Sequence, residues 1–109
     1  MTKQYIPDRG DIIWLDFDPQ SGSEHFGHRP ALVLSPKSYN KLTSLCLLCP
    51  MTRKVKGYPF EIQVSQTSVV LSDQIKSLDW RTRHAKFKEK ASDSIVNEAV
   101  EKINALIQG

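Results

Sequence analysis

Cysteine is scarce in this 109-residue chain, which excludes a disulfide-stapled scaffold. The two cysteines, Cys46 and Cys49, form a C-x-x-C pair inside an apolar run over residues 45–50 that predicts a buried strand. Residues three apart on a strand point to opposite faces, so the two sulfurs diverge and a redox or metal pair is disfavoured. We therefore expect both cysteines to be core residues.

Long apolar runs are also missing. No stretch approaches the length of a membrane span, and residues 1–8 lack the apolar core of a signal peptide. We therefore expect a cytoplasmic location and no membrane partner. No repeat, low-complexity tract or linker divides the sequence, and its length suits one small core, so we predict a single domain over residues 1–109.

Negative charge is outnumbered only in the second half of the chain. Residues 1–52 carry five charges of each sign, whereas residues 53–109 carry ten positive and seven negative charges, for a net charge of +3. The stretch 76–90 alone contains Lys76, Arg81, Arg83, Lys86, Lys88 and Lys90. A local excess of this kind predicts a polyanionic partner.

Short apolar stretches separated by turn residues predict a mainly β protein. The expected strands are residues 11–17, 31–34, 45–52, 60–64, 69–71 and 74–80, with one short helical turn within 37–43. In the first strand Ile13, Leu15 and Phe17 share one face, while Ile12 and Trp14 share the other. This arrangement is typical of a small barrel or sandwich.

The C-terminal segment has a helical period instead. Its apolar stripe consists of Ile95, Val96, Ala99, Val100, Ile103, Leu106 and Ile107. This spacing predicts an amphipathic helix of about four turns that covers the apolar surface of the barrel. Ser92 or Ser94 is placed to cap its start and Gly109 to end it.

Chemically active side chains concentrate in the loop before the second predicted strand. Glu24, His25, His28 and Arg29 lie there, close to two glycines. Taken singly, Arg29 is explained by a salt bridge and His28 by an imidazole satisfied by the backbone. The first three residues suit a metal, but no further strong ligand of suitable spacing is evident, so we expect no metal.

A second polar group ends the third predicted strand, where Thr52 is followed by Arg53, Lys54 and Lys56. If this segment meets the loop at one rim, the site holds a carboxylate, an imidazole, a guanidinium and a hydroxyl. Cleavage of RNA without a metal needs those groups. They supply a base for the 2′-hydroxyl, an acid for the leaving 5′-oxygen and donors for the charged phosphorane.

Four blocks of sequence resemble the MazF/PemK family of toxin endoribonucleases from type II toxin–antitoxin systems, and the MazF branch in particular. They are GDIIW at 10–14, GHRPALVLSP at 27–36, KGYPFE at 56–61 and SDQIKSLDW at 72–80, and together they span nearly the whole chain. The resemblance implies a partly open SH3-like β-barrel with a C-terminal helix, assembled as a homodimer. It also implies sequence-specific cleavage of single-stranded mRNA without a metal or other cofactor, which leaves 2′,3′-cyclic phosphate and 5′-hydroxyl ends and inhibits translation. The implied partner is an antitoxin whose acidic, unstructured tail covers the RNA groove.

The family's site residues match Glu24, Arg29 and Thr52. We expect Arg29 and Thr52 to stabilise the phosphorane. The base is Glu24 or His28, with Glu24 favoured, because an arginine is almost never neutral near pH 7. His28 or Arg29 then supplies the proton to the leaving oxygen. The residues expected to bind RNA around this centre are Arg53, Lys54, Lys56, Lys76, Arg81, Arg83 and Trp14.

Tryptophan is more often buried than exposed, so Trp14 and Trp80 are core candidates as well as candidates for base stacking. Two other functions stay open at this point. A CcdB-like toxin binds gyrase through a C-terminal tryptophan segment, and this chain ends at residues 106–109 without an aromatic. A plain RNA-binding module needs only the basic stretch and leaves the loop of Glu24 and Arg29 superfluous.

Overall fold

The computed structural model describes residues 4–17 and 28–109. Those residues form β1 (Asp11–Asp16), β2 (His28–Val33), α1 (Lys37–Thr43), β3 (Leu45–Thr52), β4 (Glu61–Ser65), β5 (Ser68–Leu71), β6 (Lys76–Asp79), β7 (Lys86–Lys90) and α2 (Asp93–Gln108), with a 3-10 turn at Ser72–Gln74. The prediction of a mainly β protein with a C-terminal helix is confirmed.

Strand β3 is the centre of the sheet. The strands are antiparallel in the order β4–β5–β3–β2–β1–β7, and β6 also pairs with β3. Residues 48–50 of β3 pair with β2, residues 45–48 with β6, and residues 51–52 with β5. Because three neighbours share this one strand, the sheet curls around it into the partly open barrel that was predicted.

The two faces of the curled sheet bury two separate apolar clusters, as the alternation along β1 predicts. The first cluster lies between the sheet and α2 and contains Ile12, Leu32, Cys49, Met51, Ile62, Val70, Ala91, Val96, Ala99 and Ile103. The second contains Ile13, Leu15, Ala31, Val33, Cys46, Leu48 and Trp80, with Phe17 packed against it.

The cysteines occupy both clusters, which confirms that they are core residues. Cys46 and Cys49 are fully buried on opposite faces of β3. Burial raises the pKa of each thiol to about 12, so neither forms a thiolate near neutral pH.

Helix α1 is longer than the single turn expected. Its Asn40 is buried, and the side-chain amide donates to the backbone oxygens of Pro7 (2.8 Å) and Ser35 (3.0 Å). Ser44 ends the helix in the left-handed region, and its N–H donates to the Asn40 carbonyl. The polar sequence of 37–43 gave no apolar period, so these tertiary contacts determine the helix.

The region after β5 also differs from expectation. The predicted strand 74–80 begins instead with the 3-10 turn Ser72–Gln74, and pairing with β3 starts at Lys76. Strand β7 was not predicted, because its sequence KFKEK is exposed throughout and has no apolar period. It forms by pairing with β1 at the sheet edge, across a bulge between Ile12 and Ile13.

Helix α2 begins where the sequence predicts, but the last part of its apolar stripe is not buried against the sheet. The Ser92 hydroxyl accepts the N–H of Ile95, which confirms the cap. Val96, Ala99 and Ile103 are buried, but Leu106 and Ile107 are 59% and 76% exposed. The apolar stripe is therefore one turn longer than the surface that covers it. Neither of the helices in the described ranges is long and apolar enough to cross a membrane.

The burial of the two thiols predicts that the native protein is inert to thiol reagents. At pH 8 the folded chain is expected to react with Ellman's reagent at least about 100-fold more slowly than the chain in guanidinium chloride, because less thiolate forms and access is blocked. Stopped-flow absorbance measures both rates. Rapid native reaction of one thiol would contradict its placement in the core.

Candidate active site

The ends of β1, β2 and β3 bring two of the sequence-predicted residues, Arg29 and Thr52, close together. The β1–β2 register pairs Leu15 with Arg29. The β2–β3 register pairs Ala31 with Pro50, and Arg29 donates to the carbonyl of Met51, the residue next to Thr52. The start of β2, which carries Arg29, and the end of β3, which carries Thr52, therefore meet at one rim.

Arg29 is exposed and held from two sides. Its guanidinium donates to the Met51 carbonyl at 3.2 Å and lies 5.5 Å from the centroid of the Phe17 ring. A guanidinium has five N–H donors in a planar fork, so the bond to Met51 orients the group while other donors remain for a phosphate.

The hydroxyl of Thr52 is positioned by the turn that follows β3. It accepts the N–H of Lys54 at 3.1 Å, which leaves the hydroxyl hydrogen to donate to a second partner. Thr52 is half-buried, and Arg53 and Lys54 beside it are exposed. Thr52 is therefore suited to donate to the same anion as Arg29.

The segment 53–60 carries its cations on an ordered turn. The Glu61 carboxylate accepts the N–H of Lys56 at 3.2 Å and that of Gly57 at 2.9 Å. Gly57 has φ +77°, a left-handed conformation that favours glycine. The Lys56 ammonium lies 5.9 Å from the centroid of the Tyr58 ring. This geometry presents a cation and an aromatic ring side by side to solvent.

His28 belongs to the opposite face of β2 from Arg29. Its Nδ1 lies 2.9 Å from Oδ1 of Asp16, and its ring stacks on Trp14 at 5.4 Å between centroids and an interplanar angle of 11°. Adjacent residues of a strand point to opposite faces, and Arg29 contacts Phe17 on the other side. The structure thus separates the imidazole from the guanidinium that the sequence placed beside it.

Asp16 bridges two histidines and was not singled out from the sequence. Its Oδ1 lies 2.9 Å from Nδ1 of His28, and its Oδ2 lies 2.9 Å from Nδ1 of His84. Hydrogen bonds first from His28 and then from His84 lower the pKa of Asp16 below its usual range. Only the alternation of β1, which puts Asp16 on the face of Trp14, signalled this position.

Two of the predicted RNA-binding arginines make contacts within the chain. Arg83 donates to the carbonyls of Asp16 at 3.2 Å and Phe17 at 2.9 Å. Arg81 lies over the Trp80 ring at 4.5 Å and donates to the Ser44 hydroxyl. Ser44 precedes β3, so this contact is roughly 25 Å along the chain from the other end of that strand. Their assignment to RNA stays a prediction, as does that of the exposed Lys76.

The two tryptophans have different surroundings. Trp80 is buried, and its Nε1–H donates to the Asn40 carbonyl at 2.9 Å, which confirms the core position. Trp14 is half-buried between the stacked His28 ring and the Lys88 ammonium, which is 5.6 Å from its centroid. Its contact with RNA remains a prediction.

Glu24 and His25 lie outside the described residues, so the assignment of Glu24 as the base stays a prediction from the sequence. Across 4–17 and 28–109, no group of three or more His, Cys, Asp or Glu side chains is arranged to hold a metal.

Comparison with known proteins gives concordant matches along the chain. Residues 8–107 match the family of PemK-like, MazF-like toxins of type II toxin–antitoxin systems. The endoribonuclease toxin MazF of Escherichia coli K12 is 49% identical over 110 aligned positions, which cover 98% of this chain and 99% of that protein. The MazE–MazF crystal structure (form II) from Deinococcus radiodurans has a TM-score of 0.89 at 44% identity, covering 96% of this chain and 98% of that one. A mycobacterial endoribonuclease at 16% identity, with a TM-score of 0.75, shares the fold.

The bridged carboxylate of Asp16 predicts a specific acid sensitivity. Because the folded-state pKa of Asp16 is lowered, its stabilising contribution is complete above the usual value of 3.8 and is lost as the pH falls through the folded-state value. Replacing it by Asn, Asp16→Asn, is expected to lower the free energy of unfolding by about 1–2 kcal/mol at pH 7. Urea unfolding from pH 7 to pH 2 is expected to show this difference shrinking below pH 4.

A matched control is Glu101→Gln, which changes an exposed carboxylate on α2 that forms no ion pair with another described residue. A wild-type minus Asp16→Asn difference that stayed constant down to pH 2 would show that the charge of Asp16 does not stabilise the fold.

Proposed function

Because the chain belongs to the PemK-like, MazF-like toxins of type II toxin–antitoxin systems, we propose that it cuts single-stranded RNA by attack of the 2′-hydroxyl at a site formed by Arg29, Thr52 and Glu24. It is an endoribonuclease toxin, as its relatives in Escherichia coli are. The observation that supports the proposed site best is the meeting of Arg29 and Thr52 at one rim.

Arg29 and Thr52 stabilise the charged phosphorane. In the transition state the non-bridging oxygens carry extra negative charge, and the guanidinium fork and a hydroxyl donate to them. The contacts of Arg29 with Met51 and Phe17 fix its orientation before substrate binds, so little reorganisation is needed when the charge develops.

The reaction needs one proton removed and one proton supplied. Glu24 takes the proton of the 2′-hydroxyl, the 2′-oxygen forms a bond to phosphorus, and the bond from phosphorus to the 5′-oxygen breaks. The 5′-oxygen leaves with a proton from Arg29; afterwards Glu24 releases its proton to water and Arg29 takes one up, which restores both groups. The products carry a 2′,3′-cyclic phosphate and a 5′-hydroxyl, and no metal takes part in these steps.

His28 does not supply that proton in this proposal. Its Nδ1 is engaged with Asp16, its ring is covered on one side by Trp14, and both partners lie on the face of β2 away from Arg29. Of the two acids considered from the sequence, the geometry favours Arg29. His28 instead links the start of β2 to the end of β1.

RNA flanking the cut is bound by the turn after β3. Arg53, Lys54 and Lys56 are exposed next to Thr52, and the Tyr58 ring beside Lys56 offers a surface for a base. Lys76 and Trp14 stay candidate RNA contacts outside this turn, because Trp14 lies beside His28 on the face away from Arg29. Arg81 and Arg83 bond to other parts of the chain, and their further donors keep them as candidate RNA contacts.

The proposed partners follow from the family. Solved relatives from Deinococcus radiodurans are MazE–MazF complexes, and we assign to this chain an acidic antitoxin whose tail neutralises the cations of 53–56. We assign a homodimer as well, in which the exposed apolar end of α2 has a partner. A toxin that cuts mRNA acts where mRNA is translated, so its place is the cytoplasm.

The alternative functions lose support. The gyrase-binding alternative relies on a C-terminal tryptophan, and residues 93–109 contain no aromatic side chain. A plain RNA-binding module does not require an oriented arginine and a positioned hydroxyl at the same rim. The alignment covers 99% and 100% of two relatives in Escherichia coli, and both of those proteins are endoribonucleases.

The chemistry predicts cleavage in EDTA that depends on Arg29 and on the 2′-hydroxyl. A long, defined single-stranded RNA is expected to be cut at one recurring short motif, with cyclic phosphate ends. Arg29→Ala is expected to lower the cleavage rate by about 100-fold or more, as loss of an oxyanion donor does. Mapping of the cut ends, together with a single 2′-deoxy substitution at the cut, tests both parts.

Persistent cutting of the 2′-deoxy substrate would identify water as the nucleophile and refute the proposed reaction. Cleavage by Arg29→Ala at the wild-type rate would remove Arg29 from the site. Loss of cleavage on addition of EDTA to the wild type would contradict the metal-free assignment.

The cations after Thr52 predict that the affinity for RNA falls as the salt concentration rises. Lys54→Ala is expected to weaken RNA binding about equally for all sequences and to reduce the slope of log K against log salt by about 0.7, the value for one single-strand phosphate contact. Fluorescence anisotropy with a labelled oligoribonucleotide measures the slope. Lys41→Ala is the control, because Lys41 lies on α1 near the opposite end of β3. Equal slopes for the two variants would show that Lys54 does not contact phosphate.

A further inference from the structure

We propose that Asp16 is a positioning residue for RNA cleavage. Held between His28 and His84, it fixes the backbone next to Phe17 and Arg29, and so sets the direction of the Arg29 guanidinium. This inference rests on the proposed role of Arg29. It adds His84, which lies in the turn between β6 and β7, to the residues on which cleavage depends.

Asp16 and His28 join β1 to β2 in two ways, through the backbone and through their side chains. They are partners in the antiparallel register, and their side chains are joined at 2.9 Å. The residues immediately after each of them, Phe17 and Arg29, contact each other on the opposite face. A shift of the Asp16–His28 pair therefore moves both halves of the Phe17–Arg29 contact.

His84 adopts a backbone conformation that a histidine rarely adopts. Its φ is +58°, in the left-handed region that residues with a Cβ seldom occupy. Its Nδ1 nevertheless lies 2.9 Å from Oδ2 of Asp16, although 72% of the side chain is exposed. The turn thus holds an exposed imidazole against a carboxylate, where a glycine would suit the backbone better.

The turn that carries His84 is attached to the core. The N–H of Ala85 donates to the Trp80 carbonyl at 3.0 Å, and the Asp79 carboxylate accepts the N–H groups of Arg81 and Thr82. Trp80 itself is buried. The backbone that carries the His84 imidazole is therefore held in place by the core.

A second set of bonds joins the same turn to the same end of β1. The N–H of Asp16 donates to the Arg83 carbonyl at 3.0 Å, and the Arg83 guanidinium donates to the carbonyls of Asp16 and Phe17. The backbone before Phe17 and the side chain of Asp16 are thus both tied to residues 83–84. This chain of contacts runs from the buried Trp80 to Arg29.

The charge of Asp16 is kept away from Arg29 by the same arrangement. A carboxylate bonded to Arg29 would compete with the phosphate for its donors. The two carboxylate oxygens of Asp16 instead bond to the imidazoles of His28 and His84, on the other face of the sheet. It can orient the guanidinium through the backbone without neutralising it.

Two substitutions at His84 separate positioning from other roles. His84→Gly suits the positive φ and removes the donor to Asp16. His84→Asn also tolerates that φ, and its Nδ2 is as many bonds from Cα as Nδ1 of histidine, so it restores the donor. Circular dichroism first establishes that each variant is folded at the assay temperature.

Cleavage of one oligoribonucleotide is measured over a range of RNA concentrations, so that kcat and KM are obtained separately. His84→Gly is expected to lower kcat by about 10-fold, a modest share of the roughly 100-fold that misplacing a catalytic group by 1 Å costs. KM is expected to stay within about twofold, because Lys54 and its neighbours are untouched. His84→Asn is expected to restore kcat to within about threefold of the wild type.

Asp16→Asn closes the cycle. If His84 acts through Asp16, the double variant of Asp16→Asn with His84→Gly loses no more kcat than Asp16→Asn alone. With Arg29→Ala inactive, three outcomes would each overturn the inference. They are an unchanged kcat in His84→Gly, equal losses of kcat in His84→Gly and His84→Asn, and additive losses of kcat in the double variant. Full cleavage by Arg29→Ala would instead refute the proposed site, and the positioning role with it.

Discussion

The pairing of β3 with three neighbours is the constraint on which the site depends. Its eight residues hold β6 at one end, β2 in the middle and β5 at the other, so the register of each pair fixes the others. The end of β3 consequently lies beside the start of β2, where Arg29 donates to the Met51 carbonyl next to Thr52. A slip of one residue would send every side chain of β3 to the opposite face and separate the two groups.

The alternation of side chains divides the rim between chemistry and support. On one face the Phe17 ring lies against the Arg29 guanidinium, and on the other face His28 and Asp16 are joined to the turn after β6. The two sets are adjacent in sequence but do not compete for the same hydrogen bonds. A guanidinium that keeps donors for phosphate, beside a carboxylate that is satisfied elsewhere, suits a site that must bind and stabilise negative charge.

Much of the architecture could be predicted from local patterns, because apolar periodicity reports burial directly. The strand Leu45–Thr52, the split of Cys46 and Cys49 between two faces, and the start of α2 at Ser92 agree with the structure. Strand β7 was missed because an exposed edge strand leaves no apolar period. The length of helix α1 was underestimated, because the contacts that support it join Asn40 to residues 7 and 35 and leave no local pattern.

The sequence by itself determined the family, the groups that suit RNA cleavage and the strand that carries Thr52, because residue types and their local spacing are enough for each of these. Only the tertiary structure decided which neighbours those groups have. It put His28 across the strand from Arg29 and brought His84 to Asp16 across 68 positions of sequence. Such contacts arise from the register of paired strands and from the path of a turn around the core, and neither leaves a periodic trace in the sequence.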